Sequence, residues 1–148
     1  MNYESKIEEI KEKGGILDVM MSLQKEEGYL TEEAMIAIGK AFDLSPQQVY
    51  DTATFYAMIR LSKPGKVDIQ VCHSAPCHVA GAGKVVEAIE KKLGIKAGET
   101  TKDGKYSFCY CECIGQCQSS PSVIINGTLH TNMTPEKVVK LIEQGGGK

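Results

Sequence analysis

Four cysteines in two pairs are the residues of this 148-residue chain best placed to do chemistry. Cys72 and Cys77 are separated by four residues, and Cys113 and Cys117 by three. A fold that brings the pairs together closes a cage of four thiolates. Structural zinc usually takes pairs spaced by two residues, because a tight knuckle then presents both sulfurs to one small tetrahedral ion. Neither pair has that spacing. Wider gaps suit a larger object, a two-iron cluster in which each iron takes two thiolates and the loop folds around bridging sulfides. On spacing alone, zinc and dithiol chemistry stay open. A thiol-disulfide oxidoreductase prefers Cys-x-x-Cys at a helix N-terminus, where the thiol pKa falls, and it would leave the second pair without a role.

The elements around the pairs follow from periodicity. Residues 1 to about 62 read as helices only, with Gly14-Gly15 and Gly28 as interruptions. Thr31 and Ser45 are N-caps, the second with Pro46 at the first helical position and Gln48 three residues after the cap. The segment Val49 to Met58, which includes Tyr50, Phe55 and Tyr56, is expected to be ordinary bundle core. Pro64-Gly65 then breaks the pattern and marks a boundary between domains 1–63 and 64–148.

From Lys66 the period changes to two, and a strand through Val67, Ile69 and Val71 delivers Cys72 at its end. A helix follows from about Gly81 to Leu93, so Cys77 and Gly81-Ala82-Gly83 are expected where helix N-terminal amides face an anionic cluster. Tyr106 to Glu112 is a strand with Tyr106, Phe108 and Tyr110 on one face and Cys109 and Cys111 on the other. Gly115 is expected at positive φ in a wrapping loop. Asn126-Gly127 signals a hairpin, Thr134-Pro135 opens a last helix, and Gly145 to Gly147 ends it in a tail. The fold class is therefore α+β: a helical bundle, then a small mixed sheet with helices packed on it, of thioredoxin-like type.

Composition excludes some partners. A net charge of −2 with interspersed signs offers no basic stripe for a phosphate backbone, so nucleic acid is not expected. The polar start, with no secretory core or membrane span, points to the cytoplasm, where six cysteines are metal ligands or reactive thiols rather than disulfides. Gly81-Ala82-Gly83-Lys84 is not a phosphate loop, since His78 stands where its first glycine should be and Val85 where Ser or Thr should bind magnesium. His73 and His78 are expected beside the cage or exposed, and His130 on the surface.

These residues also carry a resemblance. Cys72-x4-Cys77 with His78 and Val79, Gly81-Ala82-Gly83-Lys84, Glu112-Cys113-Ile114-Gly115-Gln116-Cys117, Ser120-Pro121 and Ile125-Asn126-Gly127 resemble the 24-kDa-type [2Fe-2S] subunit of NADH:quinone oxidoreductase. The pattern is also similar to small subunits of NAD-linked hydrogenases, including electron-bifurcating ones, and of NAD-dependent formate dehydrogenases. Gly28-Tyr29-Leu30 and Val49 to Tyr56 resemble that family's helical domain, so the likeness covers nearly the whole chain. It implies a thioredoxin-like [2Fe-2S] domain with Cys72, Cys77, Cys113 and Cys117 as cluster ligands, and no active site in this chain alone. It further implies single-electron exchange with a flavoprotein partner subunit that carries FMN and the NAD site, among further iron-sulfur subunits. Cys109 and Cys111 depart from the pattern and are expected to be inert strand thiols.

Overall fold

In a computed structural model, residues 3–145 are described, and the expected Gly146-Gly147 tail lies outside them. The chain divides into two compact units, Met1–Lys63 and Pro64–Lys148.

The first unit is helical: α1 (Tyr3–Lys11), α2 (Ile16–Glu27), α3 (Glu32–Phe42) and α4 (Pro46–Phe55). Local chemistry sets their ends. Gly28 stops α2 at φ 83°, a left-handed conformation that glycine adopts without a Cβ penalty. Thr31 Oγ1 accepts a hydrogen bond from the Ala34 amide at 3.1 Å and caps α3. At α4 the cap is reciprocal: Ser45 Oγ accepts from the Gln48 amide, and Gln48 Oε1 accepts from the Ser45 amide at 2.9 Å. Ile7, Met20, Leu23, Ile38 and Val49 are among the side chains that form a dry core. Replacing Thr31 with alanine leaves the first turn of α3 without its acceptor and is expected to cost about 1 kcal/mol. Urea unfolding would read this as a lower midpoint at unchanged m.

The expectation for α4 and the segment behind it needs correction. Val49 and Ala53, one turn apart, are buried, but Phe55 is 81% exposed, Met58 56% and Tyr50 44%. The helix ends at Phe55 and Tyr56 is already extended, so the 3.6-residue period that would carry Met58 inward stops before reaching it.

The second unit holds β1 (Val67–Cys72), α5 (Ala75–Val79), α6 (Ala82–Leu93), β2 (Glu99–Thr100), β3 (Tyr106–Cys111), β4 (Val123–Ile125), β5 (Thr128–His130) and α7 (Pro135–Glu143). The sheet order is β2-β3-β1-β4-β5. Among the described strands only β1 and β3 run parallel, which requires the helical crossover that α5 and α6 supply. Their register sets Cys72 opposite Cys111. Ile125 pairs with Thr128 across the Asn126-Gly127 turn, where both turn residues have positive φ. Helices α6 and α7 pack on each other, and Val85, Ile89, Val138 and Ile142 meet Ile69, Val71, Phe108 and Ile125 of the sheet. Gly65 leads into β1 where a Cβ would lie 2.4 Å from the Tyr106 carbonyl carbon, so only glycine lets the two backbones approach.

The sequence reading did not anticipate α5, the two-residue β2 or a 3-10 turn at Cys117–Ser119. None of the three is long enough to repeat an apolar period.

Candidate metal centre

The centre forms at the ends of β1 and β3. The Cys72 amide donates to the Ser122 carbonyl at 3.1 Å, and the His73 amide donates to the Cys111 carbonyl at 3.1 Å. The strand end is thus pinned from both sides before the chain turns into α5. Ser74 occupies the N-cap and Cys77 lies inside the helix, and both cysteines of the first pair are buried, at 1% and 2% exposure. The second pair follows β3 in a loop, and both of its cysteines are exposed. Gly115 turns that loop at φ 81°, and Cys117 opens the 3-10 turn. This brings Cys113 Sγ to 3.5 Å from Cys117 Sγ.

Two serines join the loops. Ser74 Oγ lies 3.1 Å from Cys72 Sγ and is among the groups that lower the Cys113 thiol pKa. Ser120 Oγ lies 3.4 Å from Cys77 Sγ and donates to the Cys117 carbonyl at 2.8 Å. Neither serine was given a role from the sequence, where Ser120 entered only as part of the Ser120-Pro121 pattern. Ser74-Ala75-Pro76 repeats the cap-then-proline signature of Ser45-Pro46 and Thr134-Pro135, which could have drawn attention to it.

The electrostatics of Cys72, Cys113 and Cys117 depend on one another and on the loop around them. Burial works against ionising Cys72, but hydrogen bonds from the Ser74 hydroxyl and amide, Cys77 and the Ile114 amide outweigh it and hold the thiol below its ordinary pKa. The Gly115 amide, then Cys117, lowers Cys113. Cys117 is raised, first by its bond to Cys113 and then by desolvation and the charges of Cys113, Cys77 and Cys72. Thiols that already tend toward thiolate suit metal binding, which requires deprotonated sulfur. The polarising amides lie within the two cysteine loops themselves, at Ser74, Ile114 and Gly115.

Among the described residues no three His, Cys, Asp or Glu side chains converge on one point as a single ion would require. A two-iron cluster asks instead for two thiolate pairs, each on its own iron. The donor set fits that group: soft thiolates only, arranged as two pairs, with hydroxyls and amides turned toward sulfur.

His73 and His78 are exposed, and His73 stacks against Tyr110 with ring centroids 4.5 Å apart. Lys84 is exposed on α6. His130 is not a plain surface residue, since its Nε2 is buried without a partner among the described residues. Cys109 and Cys111 are partly buried on β3. Desolvation, then the charges of Cys72, Cys109, Cys77 and Glu112, pushes the Cys111 thiol up to about 11 from 9.0.

A raised thiol pKa means less thiolate at a given pH, by roughly a hundredfold for two units. In metal-free protein at mildly alkaline pH, iodoacetamide is expected to label Cys113 well over tenfold faster than Cys111, as read by tandem mass spectrometry. Equal rates would contradict the environment assigned to Cys111.

A family model described as thioredoxin-like [2Fe-2S] ferredoxin matches residues 2–145. Two proteins named as subunits of NADH-quinone oxidoreductase are similar to the chain. The one from Rickettsia felis is 36% identical over 89% of this chain and 80% of its own length. The one from Rickettsia typhi is 37% identical over 89% of this chain and 78% of its own length. Among solved structures, an NAD+-reducing [NiFe]-hydrogenase in the air-oxidized state superposes with a TM-score of 0.72 at 23% identity. That match covers 85% of this chain and only 22% of the hydrogenase chain, so it speaks to the fold.

Proposed function

The chain belongs to the thioredoxin-like [2Fe-2S] ferredoxin family, and from that premise we propose that it is an electron-transfer subunit of a multi-subunit, NAD-linked oxidoreductase. Its Cys72, Cys77, Cys113 and Cys117 hold one [2Fe-2S] cluster. A flavoprotein partner, carrying FMN and the nucleotide, oxidises NADH or reduces NAD. Bound in this cage, the cluster supplies one-electron acceptance and donation. Flavin takes two electrons from a hydride and releases them singly, so a neighbouring one-electron carrier has a direct use.

The observation that carries this reading is the meeting of the two cysteine loops at Ser120, whose hydroxyl lies 3.4 Å from Cys77 Sγ and donates to the Cys117 carbonyl. The chain's own contribution follows from that geometry. The end of β1 and α5 fix the first pair in a dry setting, while the exposed loop keeps the second pair at the surface. Loop amides hold Cys72 and Cys113 toward the charged form that metal requires. The names of the two Rickettsia relatives support placement in an NADH-linked complex. The chain divides into a helical docking domain, 1–63, and a cluster domain, 64–148. Exposed Phe55, Met58 and Tyr50 on the helical unit support docking there. No helix among the described residues is long and apolar enough to cross a membrane, in keeping with a peripheral, cytoplasmic subunit.

Purification without oxygen tests the reading. The expected protein is red-brown, bleaches on dithionite and carries about two irons per chain. A colourless protein, with zinc or with no metal, would overturn it.

A further inference from the structure

Ser74 stands at the N-cap of α5 with φ −73° and ψ 157°, the extended geometry of a capping residue. Thr31, Ser45 and Thr134 share that geometry, and each turns its side-chain oxygen onto an amide of its own first turn. Ser74 makes no such bond. Its hydroxyl instead lies 3.1 Å from Cys72 Sγ, the cysteine that precedes it at the end of β1. Ser120, the other serine beside a sulfur, spends its proton on the Cys117 carbonyl at 2.8 Å. The Ser74 proton is left for sulfur.

A hydroxyl has one proton to give, and a metal-bound thiolate offers only lone pairs. With Cys72 deprotonated, Ser74 Oγ–H is therefore a donor to its thiolate sulfur. One-electron reduction adds negative charge to a cluster and its sulfurs, and a donor held against that charge favours the reduced form.

We propose that the Ser74 hydroxyl raises the reduction potential of the centre by donating a hydrogen bond to the Cys72 sulfur. This rests on the cluster reading above. Ser74 is a positioning residue that acts through sulfur. It does not hold iron and is not required for cluster assembly.

The test compares Ser74→Thr with Ser74→Val, which are nearly isosteric and differ in the hydroxyl. Both are made in the full chain and purified without oxygen, and midpoint potentials come from a dye-mediated titration followed by electron paramagnetic resonance. Thr is expected to keep the wild-type potential. Val is expected to move the one-electron equilibrium about tenfold toward the oxidised form, a downward shift of about 59 mV for one electron. Iron content should be the same in all three proteins. Equal potentials for Thr and Val overturn the proposal. So does loss of iron from Val but not from Thr, which would make the hydroxyl a builder of the site. If both branched variants lose iron, Ser74→Ala decides by the same two measures against wild type. Wild-type protein without a cluster is a different result and overturns the cluster reading itself.

Discussion

Cys77→Ala is expected to reduce iron from about two per chain to near zero after anaerobic desalting, because each iron of a two-iron cluster needs two thiolates. Cys77 is 2% exposed within α5, so water cannot easily take the vacated position. Cys109→Ala and Cys111→Ala serve as comparators. Both stand on β3, and Cys111 lies opposite Cys72 in register, close enough to feel its charge. They are expected to keep wild-type iron and an unchanged paramagnetic signal in the reduced protein. If Cys111→Ala lost the signal while Cys77→Ala kept it, the ligand set proposed for the cage would be wrong.

Phe108→Ala is expected to produce the largest loss of stability of any single truncation in the sheet unit, about 3–5 kcal/mol. Phe108 is 1% exposed at the centre of β3, paired with Ile69 and packed in the same core as Val85 and Ile142. Truncation removes the ring's transfer free energy and leaves a cavity that strands held in register on either side cannot close. Ordinary domains are stable by about 5–15 kcal/mol, so this change removes a large share. Urea unfolding followed by far-ultraviolet circular dichroism measures it, and a loss below about 1 kcal/mol would mean that the core relaxes around the gap.

Most of the element order was legible because its signals are local. Thr31, Ser45 and Thr134 cap the helices they were expected to cap, each within three residues of its partner amide. The change of period at Lys66 marked β1, and Asn126-Gly127 marked the hairpin, since two residues at positive φ suffice to reverse a chain. Where the period had too few residues to show, the reading failed. Helix α5 has five residues, and Cys77 was expected at a helix N-terminus rather than inside a helix of its own. Phe55 and Met58 were expected in a bundle core because they continue an apolar run, but α4 stops first.

The sequence by itself determined which atoms are available for chemistry: six thiols, two of the gaps between them too wide for a zinc knuckle, and no competing phosphate loop. Composition and spacing are properties of the chain, and they survive any arrangement of it. Only the tertiary structure decided that the pairs meet, because Cys72 and Cys113 are brought together by a parallel pairing across a helical crossover, a contact that no local pattern encodes. The same is true of environment. Burial of Cys72 and Cys77 beside an exposed Cys113 and Cys117, and the turning of Ser74 away from its helix toward sulfur, depend on how strand ends and loops pack. Desolvation and hydrogen bonding act through space, so the directions in which the Cys72, Cys111, Cys113 and Cys117 thiols shift became readable only once their neighbours were in place.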